Sequence, residues 1–205
     1  MKNIPAYVIL ILFALLSLYI LTNHNGTGGD GDSILHYLFA KYSPVHPELY
    51  FNHWAKPLFT LLSSPFAQFG FTGIKTFNAL TSFFTVFFSY KTAKQLQLKN
   101  ASLSMILLVG SPLFFLLTFS GLTEPLFALF VISGTFLASK KQHILASVII
   151  SFLPFIRSEG LIIMGVFGLY FLLKKEWKAM LFLLFGHVVY SVAGFIVGLI
   201  VGLII

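Results

Sequence analysis

Long apolar runs separated by short polar turns make up most of the 205-residue chain. These runs cover residues 4–21, 74–90, 103–119, 124–138, 144–156, 161–173 and 179–205. Inside a bilayer every backbone polar group must be satisfied within the protein, so apolar runs of this kind predict helices. The pattern therefore predicts an all-α bundle of transmembrane helices, with about seven crossings, in a single domain over residues 1–205.

One polar, turn-rich segment interrupts this pattern directly after the first apolar run. Residues 22–73 are predicted to form an external loop that contains two short juxtamembrane helices. Residues 33–42 have apolar side chains at helical spacing, with Asp32 or Ser33 as the cap. Residues 57–69 are also apolar, but at about 1.5 Å per residue they cannot span a hydrocarbon core of about 30 Å.

Composition and charge are those of a membrane protein. Hydrophobic residues make up 58% of the chain and charged residues only 9%, a balance that cannot cover a water-soluble globule. The net charge of +7 would suggest a nucleic-acid partner in a soluble protein, but here the lysines cluster between apolar runs and orient them, which excludes that partner. The absence of cysteine excludes disulfides, thiolate metal sites and a cysteine nucleophile.

The lysines indicate which side of the membrane each turn faces. Placing Lys2 and the clusters at 91–99, 140–141 and 174–178 in the cytoplasm gives one consistent topology. We therefore expect a multi-pass integral protein of the bacterial inner (plasma) membrane with a cytoplasmic amino terminus. This topology brings a set of distant polar residues to the external side: Asp30, Asp32, His46, Glu48, His53, Lys56, Glu124, Arg157 and Glu159.

Asp30 and Asp32 could share a divalent cation, or one of them could act as a general base. The alternative is a solvated turn with an aspartate helix cap. Glu124, Arg157 and Glu159 are predicted to line a cavity or to pair with one another, because charges near bilayer depth are costly.

Lys56 is a lone cation on the acidic side and could bind a phosphate. Its neighbours Tyr50 and Trp54 are interpreted as anchors at the membrane interface. His36 and His187 are interpreted as ordinary polar positions.

Several short motifs follow one another along residues 5 to 175. After the acidic loop come His46-Pro47 and Lys56-Pro57-Leu58, then Ser111-Pro112-Leu113, then Thr123-Glu124-Pro125, and finally Arg157-Ser158-Glu159-Gly160. In this order they resemble the GT-C superfamily of membrane glycosyltransferases, which use polyprenyl-phosphate sugars and include protein mannosyltransferases and aminoarabinose transferases. Enzymes of that superfamily are usually longer, so the resemblance also implies that the chain is the amino-terminal part of a longer enzyme.

The resemblance implies an inverting transfer of a hexose or mannose-like sugar from a polyprenyl-phosphate donor to an acceptor hydroxyl. It assigns the base to Asp32, with Asp30 as the second candidate, and the stabilisation of the leaving phosphate to Lys56 and Arg157. The remaining substrate-binding candidates are His46, His53, Glu124 and Glu159. A divalent cation, Mg or Mn, held by Asp30 and Asp32 is compatible with the resemblance but is not required by it.

Two other functions stay open. A transporter or flippase-like protein would also have broken helices and intramembrane charges, although the internal repeats typical of transporters are absent. A non-catalytic membrane subunit would use the face formed by Gly194, Gly198 and Gly202 to contact a partner helix. The expected partners are a lipid-linked sugar donor, membrane lipids and such a helix.

Overall fold

A computed structural model describes residues 5–26 and 31–204, with side chains through residue 199, and all regular structure in these ranges is helical. The helices are α1 Ala6–Asn23, α2 Gly31–Tyr42, α3 Pro57–Ala67, α4 Phe71–Gln95, α5 Ala101–Val109, α6 Pro112–Thr118, α7 Glu124–Ser139, α8 His143–Ser151, α9 Gly160–Leu173, α10 Trp177–Phe182 and α11 Phe185–Ile204. Two short 3₁₀ turns are Pro47–Phe51 and Leu153–Phe155. The all-α prediction is confirmed. Lys2 and Asp30 lie outside the described residues.

The structure differs from the sequence prediction at the start of α2 and within the apolar run 103–119. Asp32 and Ser33 lie in the first turn of α2 rather than at its cap, because this helix begins at Gly31. The run 103–119 is broken into α5 and α6, whose axes differ by 69°. Pro112 cannot continue α5, and the side chain of Ser111 caps the new helix instead.

Within the described residues, two helices are long and apolar enough to cross a membrane, Ala6–Asn23 and Trp177–Leu199, or three if α5 and α6 form one bent span. Helices α7 and α9 have 16 and 14 residues, which gives lengths of about 24 and 21 Å, short of a hydrocarbon core of about 30 Å. A bundle of seven crossings is therefore not confirmed.

Helix α4 lies at the centre and packs against α1, α3, α5 and α7. Its buried residues include one polar group, formed by Lys75, Asn78, Thr81, Ser82 and Thr85. Thr81 and Thr85 donate their hydroxyls to carbonyls one turn earlier in the same helix, whereas Lys75 and Asn78 bond to other segments. The main apolar core lies around Phe59, Phe77, Leu126, Ile150 and Phe171.

Three helices, α4, α7 and α9, end in the same kind of turn. Gln97, Lys141 and Lys175 have positive φ angles of 57°, 59° and 60°. In each turn, the residue after the one with positive φ donates its N–H to the carbonyl five residues before it, for example Gln142 to Leu137 at 3.0 Å. This geometry closes a helix and normally favours glycine.

The carboxyl ends of these three helices meet, because Leu96, Ser139 and Tyr170 line one shared cavity. The lysines that follow the three helices therefore lie at one end of the bundle. We call it the lysine end, defined by the turns at 96–100, 139–143 and 173–177.

Candidate functional site

A cavity of about 360 Å³ lies where α7 and α9 begin, opposite the lysine end. Its walls come from α2, from the loop before α3 and from the turns before α7 and α9. The lining residues are Asp32, His36, Trp54, Lys56, Leu122, Thr123, Glu124, Arg157, Ser158 and Glu159. We call this space the polar cavity.

Most of the predicted site residues meet there although they are far apart in the sequence. Those that line the polar cavity are Asp32, Lys56, Glu124, Arg157 and Glu159. This convergence joins the acidic loop, the Lys-Pro segment and the two later motifs in one space.

The two predicted histidines lie outside the polar cavity. His46 places its Nδ1 3.4 Å from Oε1 of Glu48 on the surface. The ring of His53 packs against Tyr190, with 5.8 Å between the ring centroids. Asp30 lies outside the described residues.

Arg157 binds a carboxylate on each side. Its Nη1 contacts Oε1 of Glu124, and its Nη2 donates to Oε1 of Glu159 at 2.8 Å. Burial acts to lower the pKa of Arg157, but the hydrogen bonds and charges of the two glutamates outweigh it and raise the pKa. The hydrogen bond from Arg157 in turn lowers the pKa of Glu159. Arg157 therefore stays cationic and Glu159 anionic at neutral pH.

Lys56 reaches the cavity from an unfavourable backbone conformation. Its φ is 59°, in the left-handed region that costs a residue other than glycine about 1–3 kcal/mol. The preceding turn is held by Asn52, whose Oδ1 accepts hydrogen bonds from the N–H groups of Trp54 at 2.8 Å and Ala55 at 3.3 Å. The ammonium then donates to Oγ of Ser158 at 3.2 Å.

The first turn of α2 is fixed against the segment before α7. Gly121 donates its N–H to Oγ of Ser33 at 2.5 Å. A Cβ atom on Gly121 would lie 2.4 Å from the Ser33 carbonyl oxygen, so only glycine allows this approach. The contact fixes the backbone next to Asp32.

The same segment is held from the other side by α4. The side-chain amide of Asn78 donates to the carbonyls of Ser120 and Leu122, both at 2.8 Å. Asn78 is fully buried, and its side-chain amide gives both carbonyls a hydrogen-bond donor. Together these bonds set the start of α7 and with it the position of Glu124.

His36 was interpreted from the sequence as an ordinary polar position, but it lines the polar cavity. It follows Asp32 by one turn of α2 and is 8% exposed. Its Nδ1 is buried and has no hydrogen-bond partner among the described residues. The four-residue spacing from Asp32 was the available signal, since it places both side chains on one helix face.

No three His, Asp or Glu side chains in the described part of the chain form a group that could hold a metal ion. The predicted ligand pair has one member, Asp30, outside the described residues. A divalent cation at Asp30 and Asp32 stays a prediction.

An apolar cavity of about 280 Å³ borders the segments that carry the two cations. It is lined by Tyr50, Phe51, Pro57, Leu58, Leu61, Phe152, Phe155, Gly186, Val189, Tyr190, Ala193 and Val197. Pro57 directly follows Lys56, and Phe155 precedes Arg157 by two residues. We call this space the apolar groove.

The glycines of α11 do not share one environment. A Cβ atom added to Gly194 would lie 3.5 Å from the Phe51 ring. A Cβ atom added to Gly198 would have no neighbouring atom within 4 Å. Gly202 lies beyond the described side chains. Their predicted use as a face for a partner helix stays a prediction.

Comparison with protein-family models, with curated proteins and with solved structures gives no significant match to the chain. The geometry of the polar cavity and the apolar groove is therefore the basis for a functional proposal.

Proposed function

We propose that the protein is a membrane glycosyltransferase that transfers a sugar from a polyprenyl-phosphate donor to an acceptor hydroxyl in the polar cavity. The observation that carries this proposal is the position of the apolar groove beside the polar cavity, with Lys56 and Arg157 on the shared segments. A polyprenyl-phosphate sugar has the matching order of parts, an apolar chain, then an anionic phosphate, then a sugar. The apolar groove would take the first isoprene units, and the polar cavity would take the phosphate and the sugar.

The proposed chemistry uses the charges of the polar cavity. The acceptor oxygen forms a bond to the anomeric carbon of the sugar while the bond from that carbon to the phosphate oxygen breaks. The acceptor proton passes to the carboxylate of Asp32, which acts as the general base. Lys56 and Arg157 stabilise the negative charge that grows on the leaving phosphate.

Glu124 and Glu159 have a different role in this proposal. Both bind Arg157, so they orient its guanidinium. The remaining oxygen of Glu159 can accept a hydrogen bond from a sugar hydroxyl, whereas Oε2 of Glu124 is buried and has no hydrogen-bond partner among the described residues.

The proposal includes a membrane topology. Helix α1 and the segment Trp177–Leu199 cross the bilayer, and the shorter apolar helices pack between them to complete a multi-pass bundle. The lysine end faces the cytoplasm of a bacterial cell and the polar cavity faces outward, since lysine-rich turns are retained in the cytoplasm.

The test is a transfer assay in membranes that contain the full chain, with a panel of radiolabelled polyprenyl-phosphate sugars. We expect Asp32→Asn to reduce transfer about 100- to 10,000-fold, the usual contribution of a general base. Glu176→Gln is the matched control, because its carboxylate lies at the lysine end and bonds to His143. It should transfer sugar at the native rate.

Asp30→Asn is assayed in parallel because Asp30 is the second candidate for the base. Native transfer rates in both aspartate variants would refute the assignment of the base. Movement of the labelled lipid across vesicle membranes without transfer to any acceptor would instead identify a flippase.

A further inference from the structure

His36 is a buried polar side chain that the proposed chemistry leaves unused. Its imidazole contacts Phe59 edge to face, with 5.6 Å between the ring centroids. Nδ1 is buried and unpartnered, yet the residue lines the polar cavity. Nε2 is therefore the ring nitrogen that a ligand in the cavity can reach.

The environment of Nδ1 determines which form of the imidazole is stable. A protonated ring would carry an N–H at Nδ1 without an acceptor, and a buried unpaired N–H is costly. A neutral ring with its proton on Nε2 avoids this cost and presents one N–H to the cavity.

The charges around the ring agree with the neutral form. Burial lowers the pKa of His36, and it is the largest influence. Asp32 and Glu124 act to raise the pKa, whereas Lys56 and Arg157 act to lower it, and the net pKa lies below the ordinary value of 6.5. These four groups are the charges that act on the ring from α2, from the start of α7 and from the loops before α3 and α9.

Part of the hydrogen-bonding capacity of the two cations is already used within the protein. Arg157 already binds two carboxylates, and Lys56 already donates one hydrogen bond to Ser158. The N–H of His36 has no carboxylate bonded to it among the described contacts, and both cations act on its ring from nearby.

We propose that His36 is a substrate-binding residue that stays neutral and donates a hydrogen bond from Nε2 to a phosphate oxygen of the polyprenyl-phosphate donor. This proposal rests on the proposed function, since it deepens the description of the same site. A neutral donor has a mechanistic advantage beside the general base. An imidazolium one turn from Asp32 would stabilise the carboxylate and weaken it as a base, whereas a neutral N–H binds the phosphate without that penalty.

The first experiment follows His36 in the native full chain in nanodiscs by NMR with labelled histidine. The His36 signal is identified as the one of six that is missing in His36→Gln. We expect a neutral ring with the proton on Nε2 at pH values at which exposed histidines become charged, near 6.5. Farnesyl phosphate should shift the Nε2 signal, and farnesol, which has the same chain without the phosphate, should not.

The second experiment measures farnesyl phosphate affinity in two variants. His36→Phe keeps a ring against Phe59 but removes the donor, and we expect about 10- to 100-fold weaker binding, the usual effect of losing a hydrogen bond to a charged group. His36→Gln keeps an N–H donor that does not titrate and should bind within about threefold of native. Farnesol should bind all three proteins equally. If His36→Phe does not fold, the native titration and His36→Gln still decide the question.

Native-like affinity in His36→Phe, or a His36 signal that ignores farnesyl phosphate, would overturn this proposal even if sugar transfer is present. A response of His36 to farnesyl phosphate in a protein that transfers no sugar would support phosphate binding by His36 and refute the glycosyltransferase proposal. Equal loss of transfer in His36→Gln and His36→Phe, with the disappearance of one limb of the pH profile, would show a proton-transferring histidine and also overturn it.

Discussion

Gly121→Ala is expected to move the proposed base, Asp32, without removing its carboxylate. The added Cβ would lie 2.4 Å from the Ser33 carbonyl oxygen, about 1 Å short of ordinary van der Waals contact. Because the obstacle is backbone, the first turn of α2 must shift by about this distance, and Asp32 shifts with it. Overpacking of this kind costs about 1–3 kcal/mol of stability. A shift of about 1 Å in a catalytic group can cost about 100-fold in rate.

The assay combines transfer from a polyprenyl-phosphate donor with thermal unfolding of the purified protein in detergent. We expect transfer by Gly121→Ala to fall about 100-fold at temperatures at which the protein is still fully folded. Gly165→Ala is the matched control, because a Cβ there meets no atom within 4 Å. Because Gly165 lies in the middle of α9, Gly165→Ala should leave transfer unchanged and raise the free energy of unfolding by up to about 1 kcal/mol.

The result that refutes this reasoning is native transfer in Gly121→Ala together with native stability. It would mean that α2 and the segment before α7 do not touch as described. Reduced stability with an unchanged rate would show that the contact supports the fold and does not position Asp32.

Three further predictions concern the support, the charges and the orientation of the polar cavity. Asn78→Leu removes the side-chain donor that bonds to the carbonyls of Ser120 and Leu122. It should lower the free energy of unfolding by about 2–4 kcal/mol. Thr76→Leu, on the exposed face of α4, is the control and should change the free energy of unfolding little. The pKa of Glu159 is lowered from its ordinary value of 4.5. Its pairing with Arg157 therefore stabilises the fold at pH values above 4.5, and this stabilisation is lost as the pH falls through the lowered pKa. The difference in denaturant midpoint between native protein and Glu159→Gln should therefore be constant from about pH 5.5 to 8 and vanish in acid; a difference that grows in acid would contradict this. Since the chain has no cysteine, variants with a single cysteine can show which side of the membrane each position faces. An impermeant maleimide should label Glu48→Cys in intact cells and Lys175→Cys only after permeabilisation. The opposite labelling pattern would contradict the proposed topology.

Much of the polar cavity could be predicted because charges are rare in this chain. In an apolar sequence each ionisable residue needs a partner or an aqueous space. The alternation of lysine turns then brings Glu124 and Arg157 to the same side. The structure shows both consequences, the ion pair and the cavity.

The buried polar group of α4 could not be predicted in the same way. The apolar run 74–90 was interpreted as an ordinary span, but Lys75 is 1% exposed and donates to the carbonyl of His24 at 2.5 Å. The partners of Lys75 and Asn78 are backbone carbonyls far away in the sequence, and no residue pattern identifies them. The spacing of His36 from Asp32 could have placed it on the same helix face, but its buried Nδ1 without a partner could not be predicted from the sequence.

The pairing of Glu124 with Arg157 also constrains the order of biosynthesis. Arg157 is made 33 residues after Glu124, so at about 5–20 residues per second the carboxylate waits about 2–7 s for its partner. In the proposed membrane topology, α7 would during that time present an uncompensated charge at its leading end to the insertion machinery. A nascent chain stalled before Arg157 should therefore be inserted less stably than one stalled just after Gly160, and the polar cavity is completed only when the later segment arrives.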